Sequence, residues 1–480
     1  MPFNLAAILP DVNPAGLPAG AKAIGVSSDS RTVEPGEIFF ALPGTTTHGI
    51  AFAAAAVARG AAAIVTDQRP SADPGVQVIL VHDARAAFAR AASIVFAPQP
   101  SIAVAVTGTS GKSSVVAFVR QIWQACGIKG ASLGTLGLAI GDTITPGELT
   151  TPDAKSLHKR LGELKAQGVD HVAIEASSHG LDQRRLDGVT FRAAAFTNLS
   201  HDHLDYHANL DAYREAKLRL FTDLLTPRGA AIVNVDDPEH GPFLYAALSS
   251  GAHLMTVGRE GGFIQIGQLE RRGLAQHVTI RLKGKEMDFT LPLAGEFQVS
   301  NALIAASLAI ASGIAPDRAI AALSGLKGAK GRMELVGQKN TAGIYVDYAH
   351  KPAALQSVLE ALRPFVVGRL ILVFGCGGDR DREKRSIMGK IAAHLADLVI
   401  VTDDNPRTEN PASIRAAILA AAPGAREIGD RAEAIRAGIA ELKPGDVLLV
   451  AGKGHEDYQI VGTERRHFSD HEVVAGALRK

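Results

Sequence analysis

Apolar runs of strand length, each ending in a glycine-, serine- or aspartate-rich turn and followed by a helix-length stretch, recur along most of the chain. That alternation implies parallel strands covered by helices, an α/β architecture. Ahead of the Pro98-Gln99-Pro100 punctuation, Ile38–Leu42, Ala62–Thr66 and Val76–Val81 read as strands, and Ile50–Arg59 and Ala84–Ile94 as helices. Beyond it, Ile102–Val106, His171–Glu175, Ala193–Thr197 and Ala231–Val235 read as buried strands, with a helical pattern over Ser114–Ala125. Gly261–Pro292 has the shorter alternating runs of antiparallel strands, and Asn301–Ser312 is helical. From Gly331 onward, Ile344–Val346, Leu370–Phe374, Leu398–Val401 and Val447–Val450 form another parallel set, with helices such as Ala353–Leu362 and Ala412–Ala421. The pattern predicts three domains: a small N-terminal α/β unit at 1–98, a central parallel sheet with helices on both faces at 99–330, and a Rossmann-like α/β unit at 331–480.

Composition narrows the function classes. The length of 480 residues exceeds one core, since domains average about 150 residues. Acidic and basic residues nearly cancel, with a net charge of +1, so nothing marks a nucleic-acid or membrane partner and any anion site must be local. Cys126 and Cys376 cannot build a disulfide framework, which fits a reducing cytoplasm. No signal-peptide pattern is evident at the N-terminus, and the alanine-rich Ala51–Ala63 is interrupted by Arg59 and Gly60 and too short to span a bilayer.

Thr107-Gly-Thr-Ser-Gly-Lys-Ser-Ser114 directly follows a predicted strand and opens a predicted helix. Amides of such a turn converge on phosphate oxygens and the helix adds its positive end. Lys112 would reach the β/γ-phosphates, and Ser113 would offer a hydroxyl to Mg²⁺. Gly108 and Gly111 have two residues between them where the common P-loop has four between its glycines. Glu175 ends its strand near this turn, as a Mg²⁺ ligand would; a solvated strand-end acid is the alternative. Asn198–His207 packs His201, Asp202, His203, Asp205 and His207 after another strand. Zinc, a polar loop, or one histidine on the nucleotide's metal all fit that density. Tyr213 and Lys217 share a helical face, and the pattern alone predicts an exposed lysine.

In the third segment Gly375–Asp381, Asp404–Arg407 and Gly452–Glu456 each follow a predicted strand. Arg380 and Arg407 could pair with a carboxylate, and Asp404 and Glu456 with an amine. A rim carrying both signs suits a zwitterionic amino acid, with surface ion pairs as the competing reading. Arg332 at the 331 boundary could bridge phosphates or make an ordinary hinge ion pair.

In their order, Asp29-Ser-Arg31, Thr107–Ser114, Thr150-Thr-Pro152, Glu175–His179, His201–His207, Tyr213–Lys217, Asn301, Gly331–Glu334, Asp347–His350, Asp404–Arg407 and Gly452–Glu456 resemble the Mur ligase family from end to end. Arg407 makes the chain similar to diaminopimelate-adding members rather than lysine-adding ones. The resemblance implies a monomeric, cytoplasmic, ATP-dependent ligase of peptidoglycan precursor synthesis, joining meso-2,6-diaminopimelate to UDP-N-acetylmuramoyl-L-alanyl-D-glutamate through an acyl phosphate. It implies that Gly108, Thr109, Ser110, Gly111, Lys112, Ser113 and Ser114 hold ATP, joined by Asn301, Arg332, Asp347 and His350. Ser113, Glu175, His203 and a CO₂-derived carbamate on Lys217 would ligate Mg²⁺, with Lys112, Glu175, His203 and Lys217 as the catalytic set. Ser30, Thr150, Thr151, Ser177, Gln183 and Arg185 would hold the UDP-substrate. Arg380, Asp404, Asn405, Pro406, Arg407, Gly452 and Glu456 would receive the amino acid. Ser113 and Lys351 depart from the family's frequent threonines. A folylpoly-γ-glutamate synthetase shares the compact P-loop and is the rival enzyme, and a slow ATP-hydrolysing switch is the rival outside synthesis.

Overall fold

A computed structural model describes residues 3–10, 12, 22–203 and 206–479. By internal contacts the chain forms two compact units, Met1–Ile264 with Ile304–Ala319, and Gln265–Leu303 with Ile320–Lys480.

The first unit holds a two-stranded antiparallel pair, Phe3–Asn4 with Lys22–Ala23, and two larger sheets. The smaller has four parallel strands in chain order, β1 (Gly25–Ser27), β2 (Glu37–Ala41), β3 (Ala63–Thr66) and β4 (Gln77–Leu80). Ile38, Phe40, Val65 and Phe88 build its core. The larger contains β5 (Ile102–Thr107), β6 (Gly130–Gly134), β7 (Gly137–Ile140), β8 (Thr143–Thr145), β9 (His171–Glu175), β10 (Phe191–Phe196), β11 (Leu225–Asn234) and β12 (His253–Gly258). Their order is β8-β7-β6-β9-β5-β10-β11-β12. From β6 to β12 neighbours are parallel, while β7 and β8 return antiparallel at one edge. The hairpin edge is absent from the sequence reading because the apolar run in Gly137–Thr145, Leu138–Ile140, is only three residues long and glycine, aspartate and threonine surround it.

Alternation along β5 explains its burial on both faces. Ala103 and Ala105 join the cluster of Leu161, Ile174 and Phe196. Val104 and Val106, of opposite parity, are also buried, as are Val115, Val119, Ile122 and Trp123 of the helix Lys112–Ala125. The sheets are tied through Lys155, whose Nζ lies 2.9 Å from the nearly buried Glu37 carboxylate, and through an Arg184–Asp83 ion pair.

In the second unit, β13 (Ile264–Arg272), β14 (Ala275–Leu282) and β15 (Lys285–Leu291) lie side by side, β14 and β15 antiparallel. A six-stranded sheet follows, of β16 (Glu334–Lys339), β17 (Ala342–Asp347), β18 (Leu370–Phe374), β19 (Leu398–Val401), β20 (Arg426–Glu427) and β21 (Val447–Ala451), ordered β16-β17-β21-β18-β19-β20. All but β16 run parallel to their neighbours. Leu370, Leu372 and Phe374 pack with Leu359, Met388 and Ile418, whereas Ile371 and Val373 pack with Ile435, Ile439 and Val474. Helices therefore cover both faces, which is why its strands read as unbroken apolar runs. An antiparallel pair, β22 (Tyr458–Val461) and β23 (Glu464–His467), stands apart from it. Among the described residues no helix is long and apolar enough to cross a membrane.

Candidate active site

Parallel strands deliver their carboxyl ends to one edge, where ligands of open α/β sheets bind. β5 ends in Thr107 and the turn Gly108–Gly111. Gly108 has φ 144°, and a Cβ there would lie 1.9 Å from Thr197 Oγ1, so only glycine fits. The helix then starts at Lys112, behind Gly111 in the left-handed region. Ser110 N donates to Asn198 Oδ1 at 2.9 Å, and Ser200 N to Thr109 Oγ1 at 3.0 Å, which pins the turn to the loop after β10. Lys112 Nζ donates to Gly108 O at 2.7 Å and to Thr109 O at 2.8 Å.

Lys217 meets the same turn. Asn209 caps the helix Leu210–Arg219 through the Ala212 amide, and Tyr213 and Lys217 lie one turn apart on its inner face. Lys217 is 1% exposed; its Nζ donates to Gly108 O at 2.9 Å and sits 4.2 Å from the Tyr213 ring centroid. Burial, and secondarily the Lys112 charge, push its pKa well below the usual lysine value. The lysine that helical spacing alone would leave exposed is thus enclosed, because the turn and the histidine loop close over its helix. His179, from the helix Ser178–Asp182, meets the His203 and His207 rings of that loop edge-on, with centroids 5.0 and 5.7 Å away, and His203 takes φ 54°. His207 Nε2 is buried without a hydrogen-bond partner among the described residues. Leu204 and Asp205 of the loop lie outside the described residues.

Glu175 ends β9 in register with Val106 of β5, so the acid and the Gly108–Gly111 turn leave adjacent strands. Its carboxylate is 1% exposed and accepts from Thr135 N at 2.9 Å and Thr135 Oγ1 at 3.1 Å. Thr135 Oγ1 also lies 2.9 Å from Thr150 Oγ1, and Thr151 Oγ1 donates to Glu175 O at 2.8 Å. Ser177 Oγ lies 2.9 Å from Thr151 Oγ1 and caps the helix Ser178–Asp182. Arg185 donates to Thr151 O at 2.7 Å and to Gln183 Oε1 at 2.6 Å. Thr150, Thr151, Ser177, Gln183 and Arg185 are therefore one connected group beside Glu175. Ser30 lies apart, in the loop after β1 of the smaller sheet, where Asp29 pairs with the exposed Arg31 at 2.7 Å.

In the second unit, Asp347 ends β17, and its carboxylate accepts from Met333 N at 2.6 Å and Ala349 N at 2.7 Å. Burial raises its pKa against the lowering effect of Arg332. The Arg332 guanidinium lies 4.9 Å from the Tyr348 ring centroid, and its Nε is buried without a hydrogen bond among the described residues. Asn301 Nδ2 donates to Gln298 Oε1 at 3.3 Å inside the helix Glu296–Ala311.

The loops after β17, β18, β19 and β21 border an open cavity of about 470 Å³ lined by His350, Arg380, Asp404, Asn405, Arg407, Gly452 and Glu456, among others. Pro406 is buried in the same loop but is not among the lining residues. Arg407 takes φ 52°, held by Arg407 N donating to Ile460 O and Gly462 N to Arg407 O; its side chain donates to Gly378 O at 2.7 Å. Arg380 is exposed, whereas Asp404 and Asn405 are buried. Burial raises the Glu456 pKa, with Lys453 opposing. Positive and negative groups thus line one cavity.

Three family descriptions match the chain in order: "Mur ligase family, catalytic domain" over residues 22–106, "Mur ligase middle domain" over 106–309, and "Mur ligase, glutamate ligase domain" over 331–454. The chain belongs to the Mur ligase family. It is 53% identical over 480 residues to the UDP-N-acetylmuramoyl-L-alanyl-D-glutamate–2,6-diaminopimelate ligase of Mesorhizobium japonicum, covering 99% of each chain. A solved structure of that description shares 33% identity at a TM-score of 0.76, covering 100% of this chain and 99% of its own. The folylpolyglutamate synthase of Mycobacterium tuberculosis is similar in fold, at 16% identity and a TM-score of 0.60 over 74% of this chain and 89% of its own.

The donor set of this Mur ligase fits a divalent cation. Glu175 is a buried carboxylate whose contacts are hydrogen bonds from Thr135, with no lysine, arginine or histidine ion pair among the described residues. A buried anion needs a counter-charge, and oxygen donors suit Mg²⁺. Among the described residues no three His, Cys, Asp or Glu side chains converge as a metal set, and Asp205 of the histidine loop lies outside them. Two Mur ligase residues had no role in the sequence reading. Thr135 bridges Glu175 to Thr150, and only recognition of β6 would have exposed it. Lys453 is fully buried beneath the cavity although it lies within the quoted Gly452–Glu456 motif.

Proposed function

We propose that this Mur ligase is an ATP-dependent amide ligase that joins meso-2,6-diaminopimelate to UDP-N-acetylmuramoyl-L-alanyl-D-glutamate in peptidoglycan precursor synthesis. The observation that carries the substrate choice is Arg407 on the wall of the same cavity as Asp404 and Glu456. A guanidinium supplies the planar fork that a second carboxylate needs, and the two acids suit an ammonium group.

In the reaction, a carboxylate oxygen of the D-glutamyl side chain attacks the γ-phosphorus of ATP. The bond to the bridging oxygen breaks, and ADP leaves an acyl phosphate. The diaminopimelate amine then attacks the acyl carbon, phosphate departs with the bonding pair, and the nitrogen loses a proton. Residues 108–114 cradle the phosphates through turn amides and the helix end, and Lys112 offsets their charge. Ser113, Glu175 and His203 would hold magnesium, which supplies charge neutralisation when bound. Burial lowers the Lys217 pKa, which favours the free amine that CO₂ requires; a carbamate there would add anionic oxygen donors. Thr150, Thr151, Ser177, Gln183 and Arg185 position the UDP-substrate beside Glu175, with Ser30 from the smaller sheet. Asn301, Arg332, Asp347 and His350 would contact nucleotide. By function, residues 1–98 serve the UDP-substrate, 99–330 ATP and 331–480 the amino acid, in a cytoplasmic monomer.

The test is product mass after incubation with ATP, UDP-muramoyl-dipeptide and diaminopimelate. The expected product is the dipeptide nucleotide plus one diaminopimelate less one water, with ADP and phosphate in equal amounts. ADP without the condensed product would overturn the proposal.

A further inference from the structure

The cavity's charged wall rests on a side chain that never reaches the surface. Lys453 follows Gly452 at the end of β21 and is 0% exposed. Its Nζ donates to Asn405 Oδ1 at 2.9 Å and to Tyr458 O at 2.7 Å. It also lies 3.2 Å from Asp404 Oδ1 and 3.8 Å from Glu456 Oε2. An ammonium is costly to bury unless it is paired and hydrogen-bonded, so a lysine here has a purpose in the pairing itself.

That purpose is visible in Asn405. Its Oδ1 receives two donors, Lys453 Nζ and Ile460 N at 3.0 Å, which fixes the oxygen end of the amide. The Nδ2 end is thereby turned to Glu456 Oε2, at 3.2 Å. One ammonium thus ties the loop after β19 to the loop after β21 and to β22, and sets the direction of two side chains that line the cavity. The geometry points to Lys453 as a positioning residue for the amino-acid pocket, holding Asp404, Asn405 and Glu456 in the arrangement that receives the substrate's ammonium group. This rests on the reading of the cavity as an amino-acid site.

Lys453 also decides how long Glu456 stays ionised as pH falls. Burial and Asp404 raise the Glu456 pKa, whereas Lys453, Asn405 and Tyr458 lower it; Tyr348 and Arg431 couple to it as well, and His350, Lys351, Arg380, Asp381, Lys384 and Arg407 line the same cavity. Arg431 is itself engaged by Asp470, at 2.8 Å, so it does not substitute for Lys453. Without the Lys453 charge, Glu456 takes up its proton at higher pH.

The experiment compares unmodified enzyme with Lys453→Gln, which keeps a donor for Asn405 and Tyr458 but removes the charge, and with Lys453→Met, which removes both. Tripeptide formation is followed while diaminopimelate, ATP and UDP-muramoyl-dipeptide are varied in turn. The expected result is a KM for diaminopimelate raised about ten-fold or more, with the other two KM values within about two-fold. The acid limb of kcat/KM for diaminopimelate should move to higher pH in both variants. If Lys453→Met does not fold, Lys453→Gln carries the test alone. A folded variant with unchanged diaminopimelate KM and acid limb overturns the assignment, as does a fall in kcat with all three KM values unchanged. Failure of the unmodified enzyme to use diaminopimelate would instead sink the functional reading, before any variant is made.

Discussion

Replacing Arg407 with alanine separates recognition of the second carboxylate from everything else the cavity does. The backbone at Arg407 is held by bonds to Ile460 and Gly462 that alanine keeps, and both residues bear the same strain at φ 52°. Stability should therefore barely change. The side chain uses one guanidinium nitrogen on Gly378 O, leaving the rest of the fork for a ligand. Removing one partner of a hydrogen-bonded charge pair costs about 2–5 kcal/mol, and the intermediate exposure of Arg407 places it near 2–3. That corresponds to roughly a 30- to 150-fold fall in kcat/KM for diaminopimelate. L-lysine lacks the second carboxylate, so its kcat/KM, expected to be low from the start, should change by less than about two-fold. Initial rates of phosphate release with each amino acid measure both. Equal falls for the two substrates would refute the pairing, as would efficient use of lysine by the unmodified enzyme.

Other outcomes follow from single positions. Lys217→Ala should abolish turnover, with partial recovery on adding short carboxylic acids; full activity would rule out a carbamate there. Gly108→Ala sets a Cβ 1.9 Å from Thr197 Oγ1, so ATP binding measured by calorimetry should be lost while the far-UV spectrum persists. Trp123 is fully buried and donates to Ser312 Oγ at 2.8 Å, and Trp123→Ala should cost about 3–5 kcal/mol in urea unfolding followed by circular dichroism. Burial holds the His158 pKa down at about 4. Its depressed value means the unfolded chain binds the extra proton between pH 6.5 and 4, so stability falls as pH drops through that window. The loss from pH 7 to pH 5 is about 2 kcal/mol, which His158→Gln should remove from the pH dependence.

Much of this architecture was legible because buried parallel strands show as unbroken apolar runs. His171–Glu175, Leu370–Phe374 and Leu398–Val401 fall where periodicity puts them. Element ends were less legible: the P-loop helix begins at Lys112 rather than Ser114, because Gly111 in the left-handed region turns the chain before any apolar residue signals it. The hairpin of β7 and β8 was missed because its apolar run, Leu138–Ile140, is only three residues long. At the site, residue types announced themselves and environments did not. Lys217 reads as exposed by helical spacing, yet the P-loop and the histidine loop, distant in sequence, enclose it. Lys453 and Thr135 act through partners far along the chain, Asn405 and Glu175, and no local pattern specifies such contacts.

The most direct test is steady-state phosphate release from ATP with each combination of the two co-substrates. The account predicts sustained release only when UDP-muramoyl-dipeptide and diaminopimelate are both present, matched mole for mole by tripeptide. Sustained release with ATP alone, or with either co-substrate alone, would contradict it.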